Sequence, residues 1–412
     1  MPQFFTNPSL PPSMYEGPLG DIMPAYADLL CQQGFAHESA HLQLRFLADL
    51  NHWLNRQRFS IADITKALLY RYLRSRHQRL RPRRDDASIL KRLLHLLHTK
   101  GLLQNKVSPS INSPRQCVEN DFNRYLSQER GLSMATRVNY RPFIQRFLSA
   151  QFGAQPIQFA HLRAKDVIRF VRNHAHKLSP KRAGLMVSAL RSFLRYLRHR
   201  GDITTDLAAC VPGVASWSFS SLPKFLQPHQ VQQVLNQCDR RTAQGRRDYA
   251  ILLLLARLGL RACEIVALTL DDIDWETGEI TVRGKGGRLA QLPLPPDVGK
   301  ALATYLHKDR PACSTRQLFI CLKAPRRGFA NSIAISTLVA RALKKAGVES
   351  PHPGAAHLFR HTLATEMLRQ GASLAEIAQL LRHQSFNTTT LYAKVDLVAL
   401  QTLAQPWIGG VR

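Results

Sequence analysis

Apolar residues recur three and four positions apart through most of this chain, which is the spacing of an amphipathic helix. In its first quarter the pattern runs from about Pro24 to Leu103. The apolar positions there are Leu42, Leu44, Phe46, Leu47 and Leu50, followed by Ile89, Leu93, Leu94 and Leu97. The pattern predicts a helical N-terminal segment.

The same spacing predicts four helices in the middle of the chain, at about 117–130, 133–152, 163–174 and 179–200. In the last of these, one apolar stripe comprises Leu185, Val187, Leu190, Phe193, Leu194 and Leu197. Such a stripe is typical of a core-facing surface. The cations that lie largely off the stripe are Lys181, Arg182, Arg191, Arg195 and Arg198. Basic residues along a helix can neutralise phosphates or enter the major groove, so this face is a candidate DNA-binding surface.

The last part of the chain has a mixed pattern. Helices are predicted at 228–238 and 245–258, and a β-rich stretch follows at 273–295. Segments 279–282 and 289–294 flank the sequence GKGG, which predicts a hairpin with Lys285 at its turn. Helices resume after Pro295. The expected fold is therefore mainly α, with a small β-sheet near the C-terminal end.

Two stretches rich in serine and proline interrupt the periodic segments, at 108–114 and 211–223. They divide the chain into domains of ordinary size. The predicted organisation is an extra helical segment (1–107), a linker (108–116), a helical domain (117–209), a second linker (210–224) and a mixed domain (225–412).

Charge indicates the kind of partner. The chain has 57 lysines and arginines against 28 acidic residues, a formal net charge of +29. Nucleic acid is the first expectation for such an excess. The alternatives are a ribosomal-type structural protein and a protein that touches an acidic membrane surface. Against them, 45% hydrophobic residues over 412 positions are enough to form globular cores. The arginine run at 71–84 is either a solvated helix face or a contact with DNA or a partner.

Localisation and cofactors are predicted from what the sequence does not contain. It has no apolar run long enough to span a bilayer and no secretory signal at its start, so the expected location is the cytoplasm, beside DNA. Its seven cysteines form no Cys-x-x-Cys pair and no zinc-finger spacing. Reduced thiols and no structural metal are expected.

Candidate catalytic groups concentrate in the second half of the chain. Metal-free cleavage of a phosphodiester needs a nucleophile, cations around the non-bridging oxygens and an acid for the leaving oxygen. Tyr392 is a candidate nucleophile if cations or a base favour its phenolate. Arg261 and Arg360 could supply bidentate forks to a phosphate. Taken alone, each of these residues has an ordinary structural explanation.

Three further residues complete the candidate site. Glu264 lies three positions after Arg261 and could hold its guanidinium, or could form an ordinary helix salt bridge. Lys285 at the hairpin turn could protonate a leaving oxygen, although exposed turns commonly carry lysine. His357 lies three positions before Arg360, on the same helical face. The glycines around Lys285 lack the spacing of a nucleotide-binding loop, so no ATP dependence is expected.

Taken together, the motifs resemble those of the tyrosine recombinase, or phage integrase, family. The region from about 222 to the C-terminus carries them in order: Gly-Leu-Arg-x-x-Glu, Gly-Lys-Gly, His-x-x-Arg-His, Leu-x-His and Thr-Thr-x-x-Tyr. The middle domain is similar to the helical core-binding domain of that family. The resemblance implies a site-specific DNA recombinase or integrase, carried by a mobile element.

The resemblance also implies a mechanism and partners. Two domains would form a C-shaped clamp around duplex DNA, and Tyr392 would form a 3′-phosphotyrosyl bond without metal or ATP. Arg261, Arg360 and His383 would bind the phosphate, and Lys285 would be the general acid. His357 would assist proton transfer and Glu264 would support Arg261. Four recombinase protomers, identical or of different kinds, would form the synapse, and Arg288 joins the candidate DNA contacts.

Three residues depart from the family pattern. Arg382 stands where glycine is common, and could contact a phosphate or cap a helix. Phe359 replaces a usual leucine, and Cys263 replaces a small polar residue and is expected to pack. The short amphipathic segment 395–403 would dock on a neighbouring protomer or fold back on its own domain.

Two other function classes stay open at this stage. A DNA-binding accessory protein would lack a catalytic residue, whereas all six candidates are present. A type IB topoisomerase would relax DNA that has no target sequence.

Overall fold

The computed structural model describes residues 16–103, 113–153, 155–215, 224–349 and 356–394, apart from the side chains of Lys285 and Phe386. The described residues fall into two compact units. One holds the residues up to 103 together with those from 224 onward, and the other holds residues 113–215. The mainly helical fold with a small sheet is confirmed.

Four helices form the N-terminal segment. They are α1 (Met23–Gln32), α2 (His37–Arg56), α3 (Lys66–Arg79) and α4 (Asp86–Thr99). Most of the predicted apolar positions, from Leu44 to Leu97, lie in one core. Leu42 is an exception at 45% exposed, because it lies on the opposite side of α2 from Leu44 and Leu47.

The middle unit also has four principal helices. They are α5 (Pro114–Gln128), α6 (Met134–Phe152), α7 (Ala164–Ala175) and α8 (Pro180–His199). Their core contains many aromatic rings, and the ring of Phe193 on α8 contacts those of Phe122, Phe147 and Phe159 at centroid distances of 5.0 to 6.3 Å. The predicted stripe of α8 is buried except for Leu185, which is half-buried.

The rest of the larger unit begins with α9 (Pro228–Asn236), α10 (Ala243–Leu258) and α11 (Ala262–Ala267). A three-stranded antiparallel sheet follows, in the order β1 (Ile273–Asp274), β2 (Glu279–Arg283) and β3 (Leu289–Pro293). The remaining helices are α12 (Pro296–Lys308), α13 (Ser332–Lys345), α14 (Ala356–Arg369), α15 (Leu374–Leu380) and α16 (Thr390–Ala393).

The predicted hairpin is present. Thr281 pairs with Gln291 across β2 and β3, and Ile280 pairs with Leu292. The inward residues Ile280 and Val282 are fully buried, while their neighbours on the strand are partly exposed. This period-2 burial places the sheet on one side of the core, with Lys285 in the connecting turn.

Helix α10 positions the candidate site. Its residues from Ala250 to Leu255 are all buried, and it packs against α12 and α14. The helix ends at Gly259, whose φ of +56° is left-handed. A Cβ at Gly259 would lie 2.7 Å from Leu381 Cδ2 and 3.1 Å from Leu363 Cδ2. Both the backbone angle and this close approach require glycine two positions before Arg261.

The N-terminal helices contact the part of the same unit that follows residue 224. The backbone N–H of Arg326 donates to the carbonyl oxygen of Gln33 at 2.8 Å. The Arg326 side chain lies against Gly34, which has a φ of +72° and no space for a Cβ. The extra segment is therefore packed on the C-terminal part of the chain, which the sequence pattern did not predict.

Candidate active site

Arg261 is held by Glu264 at the start of α11. The Glu264 carboxylate accepts the backbone N–H of Arg261 at 2.8 Å and its Nη1 at 2.7 Å. Glu264 is 2% exposed. Burial raises the pKa of this carboxyl, but the Arg261 hydrogen bonds and the charges of Arg382 and Arg261 outweigh it and hold the pKa below its usual value. The expected support of Arg261 by Glu264 is present in the structure.

Arg360 lies in the interior of α14, where two backbone carbonyls hold its guanidinium. Nη1 donates to the Gly259 carbonyl oxygen at 2.6 Å, and Nη2 donates to the Leu381 carbonyl oxygen. Burial, aided by the charges of Arg261 and Arg382, lowers the pKa of Arg360 to about 10. The group therefore remains a cation at neutral pH, in a fixed orientation between α10 and α15.

Tyr392 on α16 lies beside these arginines and is 2% exposed. Its ring packs with Ala364, Ile377 and Leu381 in a small apolar cluster. Burial raises the pKa of the phenol to about 12, while the charges of Arg360 and Arg261 act in the opposite direction. The positive charges of both arginines thus favour the ionised form of the Tyr392 phenol.

His383 follows α15 and faces the tyrosine. Its ring is nearly parallel to that of Tyr392, at 5° and a centroid distance of 6.4 Å. Its Nδ1 is hydrogen-bonded to Thr389 Oγ1 at 2.7 Å. Burial and the charges of Arg360 and Arg261 lower the pKa of His383 to about 4. The imidazole is therefore neutral at physiological pH.

Arg382 belongs to this cluster, whereas the sequence left open whether it contacts a phosphate or caps a helix. Its Nη2 lies 2.9 Å from Glu264 Oε2, and its side chain is 11% exposed. Its Nη1 also donates to the Leu380 carbonyl oxygen at the end of α15, at 3.1 Å. The backbone φ is +54°, a left-handed value that favours glycine. Arg382 therefore tolerates an unfavourable backbone angle while pairing with the carboxylate that also holds Arg261.

Lys285 and His357 are less closely tied to this cluster. The backbone of Lys285 lies in the turn between β2 and β3, and the position of its side chain lies outside the described part of the chain. His357 is exposed at the first turn of α14, whereas Arg360 is buried. The predicted common face therefore has its arginine buried and its histidine exposed.

His361 is a member of this cluster that the motif interpretation missed. Its Nδ1 lies 2.9 Å from the Tyr392 hydroxyl oxygen, and the two ring centroids are 5.6 Å apart. The residue stands in the sequence immediately after Arg360, but nothing in its local pattern indicates a contact 31 positions away. A second histidine beside a motif arginine was the available signal.

Cys263 corrects one expectation. It was expected to pack, but its residue is exposed and its thiol is free. On the short helix α11, the residues on either side of it, Ala262 and Glu264, face inward and are buried. Cys263 therefore points to the solvent side.

The candidate DNA contacts divide into exposed and engaged side chains. Lys181, Arg182, Arg195, Arg198 and Arg288 are exposed. Arg198 forms an ion pair with Asp206 at 3.0 Å. Arg191 is half-buried and donates to the Val211 carbonyl oxygen at 2.9 Å, so it has a structural contact within its own unit.

The N-terminal arginine run divides in the same way. Arg71, Arg74, Arg79, Arg81, Arg83 and Arg84 are exposed. Arg76 is instead buried, and its Nη1 lies 2.5 Å from Asp49. This pair joins α3 to α2, so Arg76 belongs to the core of the segment.

Membrane-spanning helices and metal-binding groups were searched for among the described residues. No described helix is long and apolar enough to cross a bilayer. Within the same residues, no group of three or more His, Cys, Asp or Glu side chains is arranged to hold a metal ion. The segment 395–403, expected to dock on a protomer or fold back, lies outside the described residues.

Comparison with known protein families gives matches to the middle and the C-terminal parts of the chain. Residues 224–397 match the model of the phage integrase family, and residues 120–201 match that of the phage integrase N-terminal SAM-like domain. The "Putative integrase/recombinase y4rA" of Sinorhizobium fredii is 45% identical over 96% of this chain and 96% of its own length. The tyrosine recombinase XerD of Listeria innocua is 31% identical over 68% of this chain and 95% of its own.

The fold also matches a solved structure. A crystal structure of the XerH site-specific recombinase, bound to a palindromic difH substrate in a post-cleavage complex, aligns with a TM-score of 0.56. The alignment covers 82% of this chain and 94% of that one, at 19% identity. At this identity the likeness concerns the fold.

Proposed function

The chain belongs to the phage integrase family of tyrosine recombinases, and we propose that it cuts and rejoins double-stranded DNA at specific sites through a covalent bond to Tyr392. One observation carries the assignment of this residue. The charges of Arg360 and Arg261 both act on the Tyr392 phenol, which lies in a pocket from which water is largely excluded. A low-dielectric pocket strengthens the pull of those charges on a developing oxyanion.

We assign the other residues the roles that the family resemblance implies. Arg261, Arg360 and His383 bind the non-bridging oxygens of the scissile phosphate. Glu264 fixes Arg261 through its two hydrogen bonds. We assign protonation of the leaving 5′-oxygen to Lys285 and assistance with proton transfer to His357. A guanidinium suits this task because its planar fork donates two parallel hydrogen bonds to one phosphate.

The reaction needs no metal and no ATP in this proposal. Attack by the Tyr392 oxygen forms a 3′-phosphotyrosyl bond and releases a 5′-hydroxyl. The number of phosphoester bonds is unchanged, so a 5′-hydroxyl from a partner strand can reverse the step. The arginines supply the charge stabilisation that a metal ion would otherwise give.

Duplex DNA is the partner that the charge and the family favour. We assign phosphate contacts to cations that are exposed, namely Lys181, Arg182 and Arg195 of α8 and, in the other unit, Arg288 beside the hairpin. Recombination between two sites needs two cleavages at each, which we assign to four protomers. We place the reaction in the cytoplasm and on the DNA of a mobile element.

The test looks for a covalent protein-DNA complex. The native protein and its Tyr392→Phe variant are incubated, without metal or ATP, with sheared genomic DNA of the source organism. Complexes that survive denaturant are recovered and their DNA is sequenced to find the site. Synthetic duplexes of that site, nicked so that religation is blocked, should then give a covalent band with the native protein alone.

Two results would count against this function. Salt-sensitive binding to those duplexes without any covalent band would favour an accessory protein. Equal relaxation of supercoiled DNA with and without the recovered site would favour a topoisomerase. A Tyr392→Phe variant that binds the duplex like the native protein is the control for folding.

A further inference from the structure

The Tyr392 hydroxyl has a hydrogen-bond partner to which the family pattern assigns no role. His361, on α14, places its Nδ1 2.9 Å from the Tyr392 oxygen. The two residues lie on different helices, and α14, α15 and α16 meet around them. The contact is thus fixed by packing between helices rather than by neighbourhood in the chain.

A phenol in this pocket needs a proton acceptor. Burial raises the pKa of Tyr392 to about 12, so only about one phenol in 100,000 is ionised at pH 7. An unionised phenol is a poor nucleophile toward a phosphodiester. Attack therefore requires a group that removes the proton as the oxygen-phosphorus bond forms.

His361 can accept that proton at neutral pH. Burial and the positive charges of His357 and Arg360 lower the pKa of its imidazole to about 4. At pH 7 the ring is therefore neutral and carries a lone pair on one nitrogen. A tautomer protonated at Nε2 directs that lone pair from Nδ1 toward the tyrosine oxygen.

The other histidine in the pocket is arranged differently. His383 stacks nearly parallel to the tyrosine ring, and its Nδ1 is engaged with Thr389. It presents a ring face to Tyr392, which suits it to a phosphate contact. His357 is exposed one turn earlier on α14. The geometry distinguishes His361 from both.

We propose that His361 is a catalytic residue that takes the phenolic proton of Tyr392 during strand cleavage. The proposal rests on the function proposed above. As the tyrosine oxygen forms its bond to phosphorus, the O–H bond breaks and its proton moves to Nδ1. The bond from phosphorus to the 5′-oxygen breaks, and that oxygen takes a proton from the general acid. On religation the steps reverse, and His361 returns its proton to the departing phenol.

The first test replaces the imidazole by groups that cannot accept a proton. His361→Asn places an amide near the position of Nδ1, so it keeps a hydrogen bond to the phenol without basicity. His361→Phe removes the hydrogen bond as well. We expect both variants to form the covalent complex about 10²- to 10⁴-fold more slowly on the nicked duplex. His307→Asn, which removes an exposed imidazole from the same unit, should react at the native rate.

The pH profile separates proton transfer from a structural role. The native rate should change little between about pH 6 and pH 9, because His361 is neutral throughout. In His361→Asn, solvent must take the proton, so the rate should rise about tenfold per pH unit. Arg360, Arg261, Arg382, His357 and His383 also carry or gain charge near the phenol, but they are common to both proteins. A parallel profile would overturn the proposal.

The leaving group separates the base from the acid. A substrate with sulfur in place of the 5′-bridging oxygen has a better leaving group and needs little help from an acid. We expect the His361→Asn variant to cleave this substrate slowly, whereas the Lys285→Met variant should cleave it at close to the native rate. Restoration of His361→Asn would place this residue on the leaving-group side and overturn the proposal.

Further controls keep the result interpretable. Each variant should have the thermal unfolding midpoint of the native protein and should bind the duplex with an affinity within about twofold of the native value. In a separate experiment, added imidazole should raise the cleavage rate of a His361→Gly variant. A His361→Asn variant that cleaves as fast as the native protein, or faster, would show that the hydrogen bond only holds Tyr392 at rest. No Tyr392-dependent complex with the native protein would instead refute the proposed function.

Discussion

At the scale of single residues, the site depends on one buried carboxylate. Glu264 receives hydrogen bonds from Arg261 and an ion pair from Arg382, and it is almost fully buried. A buried carboxylate that loses one of two cationic partners keeps its desolvation cost with less compensation. Arg382 thus stabilises the arrangement in which Arg261 is held, at the cost of a left-handed backbone angle.

Substitution of Arg382 should separate these two effects. Arg382→Met removes the ion pair and keeps the unfavourable angle, so we expect a loss of about 1 to 3 kcal/mol of stability. Arg382→Gly removes the same pair but adopts the angle freely, and should be about 1 kcal/mol more stable than Arg382→Met. Urea unfolding of the three proteins measures both differences. Equal urea midpoints for Arg382→Met and Arg382→Gly would show that the left-handed backbone angle at position 382 is not strained.

Two half-buried histidines should make the fold sensitive to acid. The pKa values of His361 and His383 fall from 6.5 to about 4 in the folded protein. Below pH 6.5 the unfolded chain therefore binds protons that the folded chain does not, and stability is lost as the pH falls toward 4. We expect the thermal midpoint to fall less steeply over this window in a His361→Asn, His383→Asn double variant. Identical slopes would show that these rings do not titrate as described.

At the scale of elements, the end of α10 and the start of α11 set the position of two arginines. Gly259 presents its carbonyl to Arg360, and its left-handed angle turns the chain so that Arg261 caps α11. Apolar spacing predicted a helix at 245–258, which agrees with α10 apart from two residues at its start, but the bounds of α11 were not predicted. The meeting of α10, α14 and α15 around Arg360 was not predicted either, because that contact depends on packing between distant segments.

Gly259→Ala should test this junction. The new Cβ would meet Leu381 and Leu363, and the backbone angle would be strained. We expect a loss of about 2 to 4 kcal/mol and slower covalent complex formation, because the carbonyl that orients Arg360 must shift. Gly278→Ala is the matched control, since its φ of +68° is also left-handed but no atom lies within 4 Å of the added Cβ. It should cost about 1 kcal/mol and leave cleavage unchanged; equal effects would show that the Gly259 contacts do not matter.

The candidate site was largely predictable because its residues lie in motifs with fixed local spacing. Arg261, Arg360, His383 and Tyr392 do converge in the structure. His361 was missed, because its partner Tyr392 is brought close only by α14 and α16 packing together. Arg382 was noticed as a departure, but its pairing with Glu264 spans 118 positions. Local periodicity contains no information about such distances.

At the scale of the whole molecule, some of the positive charges stabilise the fold and others are exposed to solvent. Some arginines of the basic N-terminal run form internal contacts, as Arg76 does with Asp49. Others, such as Arg81 and Arg83 in the connection between α3 and α4, are exposed, and among the described hydrogen bonds and ion pairs neither side chain is joined to an acidic residue. We propose that these exposed side chains contact DNA phosphates outside the cleavage site.

The salt dependence of binding measures such contacts. Each neutralised phosphate contributes a slope of about 0.9 to the fall of log K with log salt. Arg81→Gln with Arg83→Gln should lower the slope by about 1 to 2 on a long duplex that contains the site. Arg45→Gln with Arg56→Gln removes two exposed arginines of α2 and should leave it unchanged. Equal slopes for the two double variants would show that the exposed arginines of the run are solvated and do not contact DNA phosphates.

The burial of Tyr392 has a consequence for how often a protomer can react. A residue that is 2% exposed reaches a DNA backbone only in those molecules where the side chains that cover it have moved aside while its contact with His361 is kept. The observed cleavage rate is then the intrinsic rate multiplied by the open fraction of the population. Any partner that favours the open form accelerates cleavage without touching the reacting atoms, so an isolated protomer can bind a site and leave it uncut.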